Sequence, residues 1–418
     1  MYTRRAWIMG LGSIGLAAIR PAPRGPDWPQ FRGPDRTNIS KETGLLRTWP
    51  AGGPRRLWSV PVEQGYAGAS IVGGRVYHHD YDIKKSEWLV NCRALATGQQ
   101  IWQYREPREI RPNHAITRTV PAVDSRFVIS LDPKAVLHCL DVKTGKQVWR
   151  KSLVTEYQTT IPSWYNGQNP LQEADRVIIA TGGAAILVAL DKATGKEIWR
   201  TPNPGRLLMS HASVMPAVLG GVRQYLYGTL AGPLGVSARD GALLWSFPRK
   251  FNVAVAPSPI AVDGECVFMT ASYDAGCVMV RVRRAGSVFH AESVFDMQRN
   301  EWNSEVHTPI VHQGRLFAVG KKKRGLFTCL GLDGKEVWTS EGKASFGLGS
   351  FLLADDMFFV MDGNNGTLHL VEANTAAYRE LASAQVLNGE EVWGPMALSE
   401  GKLVLRSLTE MICLDVRG

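Results

Sequence analysis

Apolar runs of strand length alternate with short polar turns along the 418-residue chain. Hairpin patterns stand at 70–81, 120–132, 257–272, 308–320, 350–362 and 394–408. Each is an apolar run, a polar turn and a second run with period-two alternation, the signature of a half-buried strand pair. A second pair of strands follows, folded about a Thr-Gly or Asp-Gly turn and ending in tryptophan: Leu95–Trp102, Leu140–Trp149, Leu190–Trp199, Val236–Trp245 and Leu330–Trp338. Glycine supplies the positive φ that such a tight turn requires. Two copies lack the tryptophan. Their blades are expected to end at about Phe289 and about Tyr378, because the upstream hairpins are intact.

Four short strands repeating every roughly 40 to 50 residues predict a propeller. The chain stops after a third strand and its turn (411–418), and the stretch 55–62 is a fourth strand with no third. Joined, they complete one blade. The expectation is an all-β, eight-bladed β-propeller of four-stranded antiparallel blades, closed by pairing of the N- and C-terminal strands. Trp58, Trp102, Trp149, Trp199, Trp245 and Trp338 are the blade aromatics, each burying its indole against a neighbouring sheet.

The N-terminus changes the picture. Thr3-Arg4-Arg5 opens an apolar, glycine-rich stretch to Ile19 that resembles a twin-arginine export signal. It is too short and glycine-rich for a good membrane helix. The organisation expected is an export signal over 1–22, a lead segment packing on the ring over 23–54, and one propeller over 55–418, working in the periplasm or otherwise outside the cytoplasm, with no stable membrane span in the mature chain. The formal charge is +10, and removing Arg4, Arg5 and Arg20 brings it to +7. The basic run Lys321–Arg324 sits at a hairpin tip and reads as a solvated loop, so nucleic acid is not expected as a partner. Cys92, Cys139, Cys329 and Cys413 occupy equivalent third-strand places in different blades, too far apart for bridge geometry. Cys266 and Cys277 flank one hairpin, where either a bridge or two buried thiols would fit.

The repeat Ala-Leu-Asp-x-x-Thr-Gly-Lys-x-x-Trp, clearest at Ala189–Trp199 and nearly repeated at Cys139–Trp149, resembles that of the pyrroloquinoline-quinone-like (quinoprotein-type) propeller family. The lead Asp27–Ser40 is similar to the opening of exported members, and the resemblance covers essentially the whole mature chain. It implies one of two functions. Quinoprotein dehydrogenases bind the quinone and Ca²⁺ at the ring's axis. Binding-only members include the lipoprotein subunit of the outer-membrane β-barrel assembly machine. Alcohol-oxidising members cover the cofactor with a disulfide between adjacent cysteines. This chain has no Cys-Cys pair and no long roof-building insertion. The expectation is therefore no cofactor and no metal. A binding or scaffold ring, monomeric, with an envelope protein or glycan partner, is the first reading, and a calcium- and quinone-dependent alcohol or sugar dehydrogenase is the alternative.

In a propeller the connectors to the innermost strands line an axial funnel. Glu305 and His307 are placed on one face by strand alternation, as an acid/base or metal pair or else part of a hydrogen-bonded polar axis. Trp302 and Asn303 stand beside them. His114 and Arg118, His211, and Trp393 lie at other connectors, and Trp164 and Tyr165 in the longest inter-blade loop. A hydrolase or lyase built on Glu305 and the axial histidines is a third reading. No histidine has zinc-ligand spacing, and neither a phosphate-binding glycine loop nor a nucleophile elbow is present.

Overall fold

The structure, a computed structural model, describes residues 25–111, 113–298, 301–320 and 325–418. The export-like stretch 1–22 and the basic run Lys321–Arg324 lie outside the described residues. Eight four-stranded antiparallel sheets form the ring. Seven are continuous in sequence: blades 1 (69–107), 2 (122–152), 3 (171–202), 4 (215–246), 5 (260–297), 6 (310–339) and 7 (351–385). Blade 8 takes three strands from 397–415 and its outer strand from Arg55–Pro61, which pairs antiparallel with Glu410–Asp415. The ring thus closes as the sequence pattern predicts. A five-residue helix, Leu153–Tyr157, follows blade 2, and no described helix is long and apolar enough to cross a membrane.

The repeat residues make the turn and then join blade to blade. In blade 2, Asp141 Oδ1 accepts from the amides of Lys143 (3.1 Å) and Thr144 (2.8 Å) and from the Thr144 hydroxyl (2.7 Å). Asp191 and Thr194 repeat this in blade 3. The following glycine has positive φ, +71° at Gly145. It also lies against the tryptophan of the preceding blade, since a Cβ at Gly145 would stand 2.5 Å from the Trp102 ring and one at Gly98 2.9 Å from Trp58. The indole nitrogens reach across the same joint. Trp58 donates to the Leu95 carbonyl (2.7 Å), Trp102 to Val142 (3.1 Å), Trp149 to Lys192 (2.9 Å) and Trp338 to Asn374 (3.0 Å).

Register explains the residue opposite each tryptophan. Trp102, Trp149, Trp199, Trp245, Trp338 and Trp58 face Cys92, Cys139, Ala189, Gly235, Cys329 and Cys413, each beside a register shift. A small neighbour leaves room for the indole. The two degenerate blades do not end at Phe289 and Tyr378. In blade 5 the tryptophan's place, opposite Met279, is taken by Phe295. In blade 7 it is taken by Ala382, opposite Leu370, so the large and small partners have exchanged sides. Phe289 sits near a hairpin tip opposite Arg284, and Tyr378 precedes its strand and packs edge-on against Trp338 (5.9 Å). All six cysteines are buried free thiols. Cys266 pairs with Arg281 and Cys277 with Thr270, at opposite ends of one strand pair, so the open bridge is absent.

The lead segment threads the axis. Trp28 exchanges backbone hydrogen bonds with Ile71 of blade 1 (2.8 Å each), Pro29 accepts from Val123 of blade 2, and Ile39 bridges Leu353 of blade 7. Between them Arg32 and Arg36, 5% and 1% exposed, donate to backbone carbonyls on the far walls. Arg32 reaches Thr308 (2.5 Å) and Pro309 (2.9 Å), and Arg36 reaches Pro170 (2.9 Å) and Asn169 (3.1 Å). Among the described residues neither arginine forms an ion pair. The segment is a plug seated on the first strands of opposed blades.

Candidate functional site

The plug leaves a cavity of about 380 Å³ on the axis, at the end of the ring where chain passes into each first strand. All eight such connectors contribute to its wall: Tyr66; His114 and Arg118; Trp164 and Asn169; His211; Ala254 and Ala256; Glu305, Val306 and His307; Leu348; Trp393 and Pro395. The hairpin tip Ser272–Tyr273 of blade 5 and Phe31 of the plug complete it. Because the connectors come from every blade, ring closure itself assembles the site.

Aromatic faces dominate. Tyr66 stacks on Trp393, with centroids 5.0 Å apart and planes inclined by 19°. Trp164 stacks on Tyr273 at 5.7 Å and 17°, with His211 tilted against it at 6.3 Å. The Tyr66 hydroxyl donates to Glu391 (2.6 Å), and burial with this carboxylate holds the phenol protonated. The Arg118 guanidinium lies 5.8 Å from the Tyr66 centroid, over the ring.

His307, His211 and Glu305 are tied into the surrounding structure. His307 Nε2 lies 3.1 Å from the Leu348 carbonyl, and burial lowers its pKa to about 4, helped by the charge of Arg32. His211 is likewise lowered to about 4, first by burial and then by Arg118. Both imidazoles are neutral at pH 7. Glu305 Oε2 accepts from the Tyr273 amide (3.1 Å) and Asn303 Nδ2 (3.2 Å). Glu305 and His307 both reach the cavity, but from a bend rather than a strand, and the intervening Val306 reaches it too. Alternation is not what aligns them.

The cavity gathers His114, Arg118, Trp164, His211, Glu305, His307 and Trp393 of the sequence candidates. Trp302 is buried against Phe268 and donates to the Thr328 hydroxyl (3.2 Å), away from the cavity. Asn303 supports Glu305 from behind, and the Tyr165 hydroxyl closes on the backbone of Arg111 (3.1 Å). Phe31, Tyr66 and Tyr273 were not singled out in the sequence. The only hint was position, since Tyr66 lies in a connector like the others.

Calcium, which the quinoprotein resemblance implies, takes six to eight oxygen ligands. The wall offers one carboxylate, Glu305, already bonded by two protein donors, and the Asn169 side-chain oxygen is taken by the Val120 amide (2.6 Å). Among the described residues no three His, Cys, Asp or Glu side chains are grouped to hold a metal ion. This donor set does not fit a calcium–quinone centre.

A family model described as outer membrane protein assembly factor BamB matches residues 86–186 and 163–379, more than half of the chain. BamB from Moraxella catarrhalis superposes with a TM-score of 0.60 at 14% identity, over 86% of this chain and 97% of that one. Quinohemoprotein alcohol dehydrogenase from Comamonas testosteroni gives 0.65 at 14%, over 94% and 81%, and a europium-containing methanol dehydrogenase 0.66 at 12%, over 92% and 90%. No curated protein sequence matches. At these identities the structural likeness speaks to the fold alone.

Proposed function

The chain belongs to the family described as outer membrane protein assembly factor BamB, and from that premise we propose that it is an exported binding ring. It holds an envelope protein or glycan through the axial cavity and carries no redox chemistry of its own. The observation that supports this reading most is the state of the cavity's titratable groups. His211 and His307 are neutral and far from titrating at pH 7, and Glu305 is held by two donors. A general acid–base pair needs a pKa near the working pH, and neither His211 nor His307 has one. What remains is a wall of aromatic faces with one guanidinium and the His114 imidazole, the composition of a recognition site. Export is supported by the twin-arginine-like pattern at Thr3-Arg4-Arg5.

The dehydrogenase reading draws on the superposition with quinoprotein enzymes. The calcium donor set argues against it. One experiment separates the two. The purified protein is titrated with pyrroloquinoline quinone and Ca²⁺, followed by tryptophan quenching and by dye reduction with alcohols and sugars. In parallel it is cross-linked in envelope extract. Recovery of a discrete partner without dye reduction supports the binding ring. Saturable quenching with dye reduction replaces it with the dehydrogenase.

A further inference from the structure

We propose that the axial cavity takes a carboxylate carried on an apolar group, with Arg118 as the anion contact and the apolar part of the wall around the ligand's body. A polypeptide end with an apolar last residue and a free small acid share this chemistry, and the test below tells them apart. The inference rests on the reading of that cavity as a binding site and narrows it to one ligand class.

Arg118 supplies the charge. Its guanidinium has five N–H donors. It makes two hydrogen bonds, both long at 3.3 Å, to the carbonyls of Ile116 and Asn113. Among the described residues it forms no ion pair, and it lines the cavity while keeping partial exposure. Burial holds its pKa below the ordinary guanidinium value, and the groups whose charge bears on it are the phenols of Tyr66, Tyr165 and Tyr273, with no carboxylate among them. Glu305, the acid on the wall, accepts instead from the Tyr273 amide and from Asn303. A largely buried cation without a counter-charge is costly, and a carboxylate taken in two parallel bonds compensates it.

The wall decides what the anion carries. Phe31, Ala254, Ala256, Val306, Leu348 and Pro395 put apolar side chains around the cavity. A ligand rich in hydroxyls would lay polar groups against that surface without partners. A phosphate, with nearly two charges, exceeds what one guanidinium balances. An apolar body gains by leaving water there while its single carboxylate reaches Arg118.

The shape favours an end over a passing chain. Phe31 belongs to the plug, which Arg32 and Arg36 fix to opposite walls of the bore. The axis is stopped behind the cavity, so a ligand enters and leaves by one mouth. The volume, about 380 Å³, is at the small end for ligand pockets, roughly 300–1,000 Å³, and suits one apolar residue or a small acid. The backbone marks the same place. Three lining residues other than glycine hold left-handed conformations: His114 (φ +59°), Trp164 (+63°) and Tyr273 (+59°). A bulky side chain in that region is an outlier, and such strain gathers where a site is arranged in advance of its ligand.

The test uses the purified protein, read by calorimetry, with 3-phenylpropionate, 3-phenylpropanamide, acetate, and a short glycine-rich peptide ending in phenylalanine with its terminus free or amidated. 3-Phenylpropionate is expected to bind saturably, with the amide and acetate each at least about tenfold weaker. Arg118→Gln should lose about tenfold for the acid and leave the amide unchanged, and Ala256→Trp, which fills the cavity, should remove both. The acid–amide comparison on the unaltered protein stands even if a variant misfolds. Tighter binding of the free-terminus peptide than of the small acid, with the amidated peptide weaker, supports the proposal and assigns the carboxylate to a chain end. Binding of the small acid without the peptide supports it and assigns the carboxylate to a free acid. Equal binding of acid and amide, acetate binding as tightly as 3-phenylpropionate, an Arg118→Gln variant that holds the acid as the parent does, or no saturable binding of either free carboxylate overturns it. If neither carboxylate binds but a protein is cross-linked in envelope extract, the binding ring survives and this ligand does not. If quinone and Ca²⁺ give dye reduction, both fall.

Discussion

Two glycines with nearly the same backbone test the blade joint. Gly145 has φ +71° and Gly74 +74°. A methyl group at Gly74 meets nothing within 4 Å, whereas at Gly145 it would stand 2.5 Å from the Trp102 ring. In Gly74→Ala the left-handed backbone costs about 1–2 kcal/mol. The stiffer unfolded chain returns about 0.4–1, for a net loss near 1 kcal/mol. Gly145→Ala carries the same backbone term and adds about 1–3 kcal/mol of overpacking, because Trp102 is pinned by its bond to the Val142 carbonyl. The expected losses are about 1 and about 2–4 kcal/mol. Urea unfolding read by tryptophan fluorescence resolves the difference, provided the two slopes agree. In a Trp102→Leu background the extra penalty at Gly145 should vanish, giving a coupling of about 1–3 kcal/mol. Equal midpoints for the two alanine variants in the parent chain would refute the idea that the glycine exists to admit the indole.

Trp149→Ala and Trp199→Ala should each cost about 3–5 kcal/mol, as large aromatic deletions do, with unchanged melting temperatures counting against the blade assignment. Trp149 also gives up its bond to Lys192, whereas the Trp199 indole nitrogen has no hydrogen-bond partner among the described residues. His307 has a folded pKa of about 4 against an ordinary 6.5, so its contribution is complete above pH 6.5 and is lost as the pH falls toward 4. In His307→Gln the stability lost between neutral pH and about pH 4.5 should shrink by about 2–3 kcal/mol. Urea midpoints at the two pH values measure it, and equal losses in both proteins contradict the assignment. Arg32→Ala removes the bonds to Thr308 and Pro309 and should unseat the plug. Trypsin should then cleave rapidly at Lys41, seen by mass spectrometry while the ring stays folded, and protection equal to wild type would show that Arg32 does not hold the segment.

The ring was legible because its repeat is local. An Asp-x-x-Thr-Gly turn and the tryptophan it precedes lie within one short hairpin, so spacing alone counts blades. Register was less visible. Phe295 and Ala382 hold the tryptophan's place, yet both lie several residues beyond the aromatic that sequence spacing suggests, because blade 5 has a longer outer hairpin and blade 7 a longer turn. Blade 7 reverses the large and small partners as well, which a search for aromatics cannot detect. The cavity was visible residue by residue but not as a set. His114, Arg118, His211 and Trp393 announced themselves as polar or aromatic residues in connectors. Tyr273 belongs to a hairpin tip and Phe31 to the lead, and both converge only once the ring has closed. Two arginines spaced by four in a proline- and glycine-bearing stretch look like surface residues. Their burial depends on carbonyls from Asn169, Pro170, Thr308 and Pro309, far away in sequence.

The closing blade also imposes an order in time. Arg55 pairs with Asp415, so this contact must wait until the chain has been made through residue 415 and has left the ribosome. Blades 1 to 7 consist of neighbouring segments and can form as they emerge. Joining ends so distant costs on the order of 5 kcal/mol of chain entropy, repaid only when the last ladder zips. The plug is made earlier still, yet its seats on blades 6 and 7 appear only after blades 1 to 5 have been made. The first-made part of the described chain is therefore among the last to settle, and until it does the axis is an open bore.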